Sequence, residues 1–298
     1  MIVDTNETSG WTIKRLINWT QEYLANAEVE SARLCAEILL GHVLGCPRID
    51  LYIRFDYCPT AEQLDKFREL VRRCGKHEPV AYLTGKAHFW GLEFIVTPDV
   101  LIPRPETEVL VTQAVKFIHQ QTNRPKVDVL DLCTGSGCVA VAIGTEAVEA
   151  EVSATDSRSA ALQIAQKNIE AHDLQGRVKL LESDLFENLD GSDKGVFDLI
   201  VSNPPYISEK EFAELAPVVR GYEPKQALLA GVDGLDYYRR ILEQAENYLA
   251  DGGAIMLEIA FNQAEKVISL FEKSGSLEEI AAVKDHLGHN RVIKAQKK

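Results

Sequence analysis

The chain reads as an α/β fold, with a mainly parallel, seven-stranded sheet preceded by a small helical domain. Three observations predict this. From about residue 127 onward, short β-branched runs alternate with amphipathic stretches at the spacing of strand–helix units. From about residue 10 to 75 the apolar periodicity is helical only. A length of 298 residues, 46% of them hydrophobic, is enough for one large core or two modest ones.

The helical part begins with a stretch from Thr12 to Leu24. A stronger helix runs from Ser31 to Leu44, where Leu34 with Ile38, and Leu40 with Val43 and Leu44, recur at helical spacing. Gly45 stops it and Pro47 lies just beyond. Thr60-Ala-Glu-Gln opens a third helix, containing Leu64, Phe67, Leu70 and Val71, with a partial capping-box pattern. Aromatic and β-branched residues around Gly91 predict a short hairpin within 86–100. The expected division is therefore a helical domain over 1–80, a hairpin linker over 81–105 and an α/β domain over 106–298. Strands are expected at 127–132, 151–155, 177–181, 197–202, 254–259, 278–284 and 291–295, with helices at 138–146, 159–172, 235–249 and 263–273. A parallel sheet of this kind binds its ligand beyond the carboxyl ends of its strands.

Charge narrows the partners. The chain has 45 Asp and Glu against 32 Lys and Arg, a net charge of −13. Such a surface repels polyanions on average, so no direct nucleic-acid partner is expected. No apolar run approaches the ~18 residues a membrane span needs. The opening MIVDTNETSGW carries no basic segment before an apolar one. A soluble, cytoplasmic protein is expected. The six cysteines, at 35, 46, 58, 74, 133 and 138, form no C-x-x-C and no Cys/His ligand spacing. Reduced thiols and no metal site follow.

The first sheet strand ends in Asp131-Leu-Cys133-Thr134-Gly135-Ser136-Gly137 and enters a helix. Glycines let the backbone turn sharply and approach a ligand, and the helix start offers free N–H groups. The loop fits a dinucleotide fingerprint, with Asp156 about twenty residues on as its ribose-binding acid. By itself it does not separate NAD from S-adenosylmethionine. Asp131 tilts the balance, because a carboxylate there opposes a pyrophosphate but suits the cationic amino group of a methionine moiety.

The fourth strand ends in Asn203-Pro204-Pro205-Tyr206. The prolines make a rigid loop without backbone donors. Asn203 supplies a side-chain carbonyl, Pro204 a backbone carbonyl and Tyr206 a flat face. Together these suit a planar group bearing NH2. The two carbonyls accept its hydrogens and the ring holds its plane in line with an incoming methyl.

D-x-C-T-G-S-G with N-P-P-Y resembles the class I, Rossmann-like S-adenosylmethionine-dependent methyltransferases acting on exocyclic or amide nitrogen. ARLCAEILLGHVLG (32–45), EPVAYLTG (78–85), LIPRPETE (101–108), GVDGLDYYR (231–239) and DHLGHNRV (285–292) are similar to the peptide release factor glutamine methyltransferases, the HemK/PrmC family. The likeness spans the chain from about residue 11. It implies N5-methylation of the glutamine in the Gly-Gly-Gln loop of class 1 release factors. It implies that Asp131 and Cys133 to Gly137 line the methionine part of S-adenosylmethionine and that Asp156 binds the ribose. Asp184 and Leu185 would border the adenine, Asn203 to Tyr206 would hold the glutamine amide, and the amino-terminal helices would dock the release factor. Cys133 stands where the family usually has glycine, so its side chain must point away from the cofactor or the loop must shift. Leu185 is aliphatic where some relatives have an aromatic. Two alternatives share the chemistry: methylation of a ribosomal-protein glutamine, and adenine-N6 methylation of nucleic acid, which the net charge disfavours. An NAD-dependent oxidoreductase would leave residues 203–206 idle.

Overall fold

The computed structural model describes residues 10–121 and 124–298. Residues 1–9, the stretch that bears on a targeting signal, lie outside them. The chain divides into two compact units, one reaching to Gly85 and including Ala216–Tyr222, the other comprising Lys86–Leu215 and Glu223–Lys298.

The first unit is helical. Helix α1 spans Ile13–Asn26, its first turn capped by the Thr12 hydroxyl, which accepts from the Arg15 amide. Helix α2 spans Ala32–Leu44 and ends at Gly45 in the left-handed conformation. Short α3 (Arg48–Ile53) follows Pro47, and α4 (Ala61–Cys74) opens with a complete Thr60/Gln63 capping box. Helix α5 covers Val80–Thr84. Leu16, Leu24, Leu39, Leu40, Phe67 and Val71 form the core of this unit. Segment 216–222 joins it, with the Tyr222 hydroxyl donating to the carbonyl of Lys76 at 2.8 Å.

The second unit starts with the hairpin β1 (Lys86–Phe89) and β2 (Leu92–Ile95). Trp90 and Gly91 both have positive φ, the two-residue turn that matches strand twist. The hairpin is part of this body and not a linker. Phe89 and Phe94 lie in its core, and the Asn168 side chain bonds both the amide and the carbonyl of Ile95. After a 3-10 turn at Pro105–Thr107 comes α6 (Glu108–Gln120), a helix absent from the expected elements. Pro103 and Pro105 ahead of it suggest a linker, yet Pro105 opens the 3-10 turn that leads into α6, a helix-start position where its missing N–H costs nothing.

From there the alternation holds: β3 (Val127–Leu132), α7 (Cys138–Glu146), β4 (Ala150–Asp156), α8 (Ser159–Ala171), β5 (Val178–Glu182) and β6 (Phe197–Ser202). Short α9 (Glu209–Glu214) and α10 (Pro217–Arg220) precede α11 (Asp236–Tyr248), β7 (Leu249–Glu258), α12 (Ala264–Ser274), β8 (Leu277–Lys284) and β9 (Asn290–Lys297). The seven-stranded sheet has the order β5-β4-β3-β6-β7-β9-β8, parallel except for β9, which runs antiparallel to both of its neighbours. One face packs on α6, α7 and α8 through residues such as Val129, Val201 and Met256. The other packs on α11 and α12 through Leu130, Ile200 and Leu257. Period-2 alternation along each strand separates the two sets.

Candidate active site

The chain leaves β3 for β4 on one side of the sheet, while β6 sits on the other side of β3. The crevice at such a reversal opens beyond the carboxyl ends of the strands. A cavity there is lined by residues from the ends of β3, β4, β5 and β6, and by the segment before α6.

Beyond β3 the backbone takes positive φ at Cys133, Gly135 and Gly137. Gly137 ends the turn as the N-cap of α7, and a Cβ there would sit 3.2 Å from that of Ala165. Cys133 holds the same left-handed conformation with φ of 60°, which accounts for glycine being the easier residue at this position. Its side chain packs against the α11 face of the core and faces Ser202. The loop therefore keeps its turn despite the thiol.

Asp131 is buried, and the Thr134 hydroxyl donates to its carboxylate at 2.6 Å. Burial pushes its pKa up to about 7 against that hydrogen bond, and the charge of Asp156 adds to the rise. Asp156, at the end of β4, accepts from the Gly135 amide at 2.9 Å and the Arg158 amide at 3.0 Å. Burial raises its pKa too, against these same backbone bonds. After β5, the Ser183 hydroxyl donates to the Leu185 carbonyl at 2.8 Å, locking Leu185 in a left-handed turn. Asp184 pairs with Arg240 at 2.8 Å.

Asn203 follows β6, and its amide nitrogen donates to the Thr107 hydroxyl at 3.0 Å. Pro204 and Pro205 are buried. The Gln263 side chain donates to the Tyr206 carbonyl at 2.9 Å. The Tyr206 phenol is raised in pKa, by burial first and then by the charge of Glu258.

Asp131, Cys133, Thr134, Gly135, Ser136, Asp156, Asp184, Leu185, Asn203 and Pro205 line one cavity, so ten of the thirteen expected site residues come together. Gly137, Pro204 and Tyr206 are not on its wall, since Gly137 caps α7 and the other two continue the Asn203 loop. Arg104, which the family resemblance places near the cofactor mouth, is on the wall, while Thr107, Arg158 and Tyr237 are wall residues that local sequence patterns do not single out. Asn168 lies behind the glycine turn, fully buried, and donates to the Ser136 carbonyl at 2.8 Å. A signal for it existed: it is the polar member of the buried stripe Ala161, Ile164, Ala165 and Ile169 on α8. Among the described residues, no group of His, Cys, Asp and Glu is placed to hold a metal ion, and no helix is long and apolar enough to cross a membrane.

Residues 15–85 match the PrmC N-terminal domain family, and residues 110–217 match the methyltransferase small domain family. The release factor glutamine methyltransferase of Rhodopirellula baltica is 44% identical over 99% of this chain and 100% of its own length. That of Geobacter sulfurreducens is 43% identical over 97% of this chain and 98% of its own. The chain belongs to the release factor glutamine methyltransferase family. Like the family, it is a methyltransferase enzyme, and S-adenosylmethionine is its methyl donor. The solved hMettl16 catalytic domain shares its fold, with a TM-score of 0.53 at 15% identity over 78% of this chain and 82% of that one.

Proposed function

We propose that this pocket methylates the side-chain amide nitrogen of the glutamine in the Gly-Gly-Gln loop of class 1 peptide chain release factors. The observation that carries the reading is that Asn203 and Pro205 border the same cavity as Asp131 and Asp156. An amide-holding loop and a cofactor cradle thus open onto each other across β3 and β6.

The residues present fit S-adenosylmethionine. Asp131 is a buried carboxyl with no cation of its own among the described residues, which suits an ammonium group. Asp156 accepts from the backbone amides of Gly135 and Arg158, one on each oxygen, and a carboxylate has about four sites, so acceptor capacity remains for the ribose hydroxyls. Cys133 to Ser136 border the methionine portion, with Gly137 shaping the turn behind them. Asp184 and Leu185 border the adenine, with the Tyr237 ring adding the flat surface that Leu185 lacks. When bound, the cofactor supplies an electrophilic methyl group on a sulfonium.

The chain's own task is positioning. The Asn203 side-chain oxygen and the Pro204 carbonyl accept the two hydrogens of the glutamine amide, and Tyr206 restrains its plane. Holding the nitrogen in line removes the entropic part of the barrier, an effect worth several kcal/mol. The helical unit docks the release factor, in the cytoplasm, and its exposed Trp19 and Tyr23 are the natural anchors. The net charge of −13 argues against direct nucleic-acid contact.

Peptide mass spectrometry of a class 1 release factor incubated with the protein and S-adenosylmethionine tests the reading. One methyl group on the Gly-Gly-Gln glutamine is expected. Methylation of a ribosomal-protein glutamine or of adenine, with the release factor unmodified, would overturn it.

A further inference from the structure

Three neighbouring strands, β3, β6 and β7, carry a polar group at their carboxyl ends on one face of the sheet. Val129, Val201 and Met256 share that face, and alternation continues it to Asp131, Asn203 and Glu258. Ser202 pairs with Leu257, so Asn203 and Glu258 are the next residues of adjacent strands. Glu258 has no part in the reading above, yet it is 1% exposed and one of its carboxyl oxygens has no hydrogen-bond partner. A carboxyl so placed is costly to a fold and calls for an explanation.

Thr107 lies between them. It is 1% exposed, its hydroxyl oxygen accepts from the Asn203 amide nitrogen at 3.0 Å, and it is also the hydrogen-bonding neighbour of the Glu258 carboxyl. A hydroxyl has one hydrogen, and a carboxylate only accepts. With Glu258 ionised, the Thr107 hydrogen goes to Glu258, so its oxygen must accept on the other side. Only the NH2 end of the Asn203 amide satisfies that. The carbonyl end is then turned away from Thr107 and free to accept from a ligand.

We infer that Thr107 and Glu258 are positioning residues for methyl transfer, with the Glu258 carboxylate ordering the Thr107 hydroxyl and that hydroxyl fixing the Asn203 amide oxygen toward the substrate. The inference rests on Asn203 being the residue that holds the glutamine amide. The relay works only with Glu258 ionised. When Glu258 is protonated, Thr107 is free to donate toward Asn203 and the amide loses its single orientation. Burial pushes the Glu258 pKa up to about 7, against the Thr107 hydrogen bond. Arg291 from β9 and Arg104 lower it, Glu106 raises it, and the Tyr206 and Tyr238 phenols and the Cys138 thiol also face its charge.

Single-turnover kinetics with the full chain, saturating S-adenosylmethionine and a release factor substrate test the relay. Saturation keeps Asp131 paired, so its own titration does not enter the profile. Thr107→Val should slow methyl transfer by about 10–100-fold, the scale of a misplaced reacting group, with cofactor affinity unchanged. Thr107→Ser restores the hydroxyl and should recover most of the rate. In the native chain the rate should rise as pH passes about 7, and Glu258→Gln should abolish that rise. A native rate for Thr107→Val, no recovery with serine, or a pH rise surviving in Glu258→Gln would overturn the relay. Asn203→Ala separates the two levels. If it is slow while Thr107→Val is not, only the relay fails; if it too turns over normally, the assignment of Asn203 fails with it.

Discussion

In the helical unit, Glu37 is buried on α2, and Arg33 and Arg48 reach its oxygens at 3.0 and 2.5 Å while the Tyr52 hydroxyl donates to it. Burial works to raise its pKa, but these partners outweigh burial and hold it below the usual carboxylate range. In the sheet unit, Asp131 and Glu258 are equally buried, and neither has a cation at ion-pairing distance among the described residues. Burial wins there, and both are pushed up to about 7. The same side-chain chemistry serves opposite ends. Glu37 is completed by its own fold, whereas Asp131 has no cation among the described residues and Glu258 has only the Thr107 hydroxyl beside it, a departure from local consistency typical of functional sites.

The largest effect should come from Asn203→Ala. Single-turnover methyl transfer is expected to fall on the order of 10²–10³-fold, the loss associated with one well-placed polar contact in a transition state. Calorimetric titration should show cofactor affinity close to native. Retained turnover would remove the distinction between a site that waits for a ligand and one that merely packs.

Asp131→Asn should weaken S-adenosylmethionine by about 10–100-fold, the worth of a charge-assisted hydrogen bond, without lowering the melting temperature of the unliganded protein. Glu37→Gln should do the reverse. It should cost about 1–3 kcal/mol of stability in urea unfolding and leave cofactor affinity alone. If both substitutions destabilise equally, the contrast between the two carboxyls is broken.

The same contrast predicts a pH dependence. Asp131 and Glu258 have folded pKa values above their unfolded ones, so the folded chain retains protons that the unfolded chain has released. Their contribution to stability is fully present below about pH 4 and is lost as pH rises toward about 7. Thermal unfolding of the unliganded protein should therefore give a lower midpoint near pH 8 than near pH 6. The stabilisation by bound cofactor should be larger near pH 8, where Asp131 is ionised. A midpoint rising across that range would contradict the assignment.

The smallest effect belongs to Cys133→Gly. Relieving a left-handed non-glycine residue should stabilise the chain by at most about 1 kcal/mol, measured by chemical denaturation, with unchanged cofactor affinity. A marked change in affinity would mean that the Cys133 thiol, and not only its backbone, meets the cofactor.

Much of this molecule is legible in its sequence. The strand–helix alternation from residue 127, the glycine turn after Asp131 and the Asn203-Pro204-Pro205-Tyr206 loop are local patterns, set by side-chain periodicity and backbone sterics within a few residues. Helix α2 was legible as a helix but not in its orientation. Leu34 sits in the apolar periodicity yet is exposed, while Ala36, Leu39 and Leu40 are buried. A helix apolar around most of its circumference leaves its inner face to be chosen by the helices it meets. The prolines around α6 likewise read as a linker, because periodicity does not tell a proline that ends one segment from one that begins a helix.

Sequence alone thus decided which residue types stand at the strand ends, and from them the cofactor class and the loop proposed to hold the amide. What it left open were the pairings across long separations. Thr107 meets Asn203 from 96 residues away, Arg104 meets Glu223 across 119, and Asn168 grips the hairpin across 73. Nothing in local spacing encodes such contacts. They arise because β3, β6 and β7 are brought side by side with α6 and α8 on one face, and burial then forces each polar group to find whatever partner that arrangement provides.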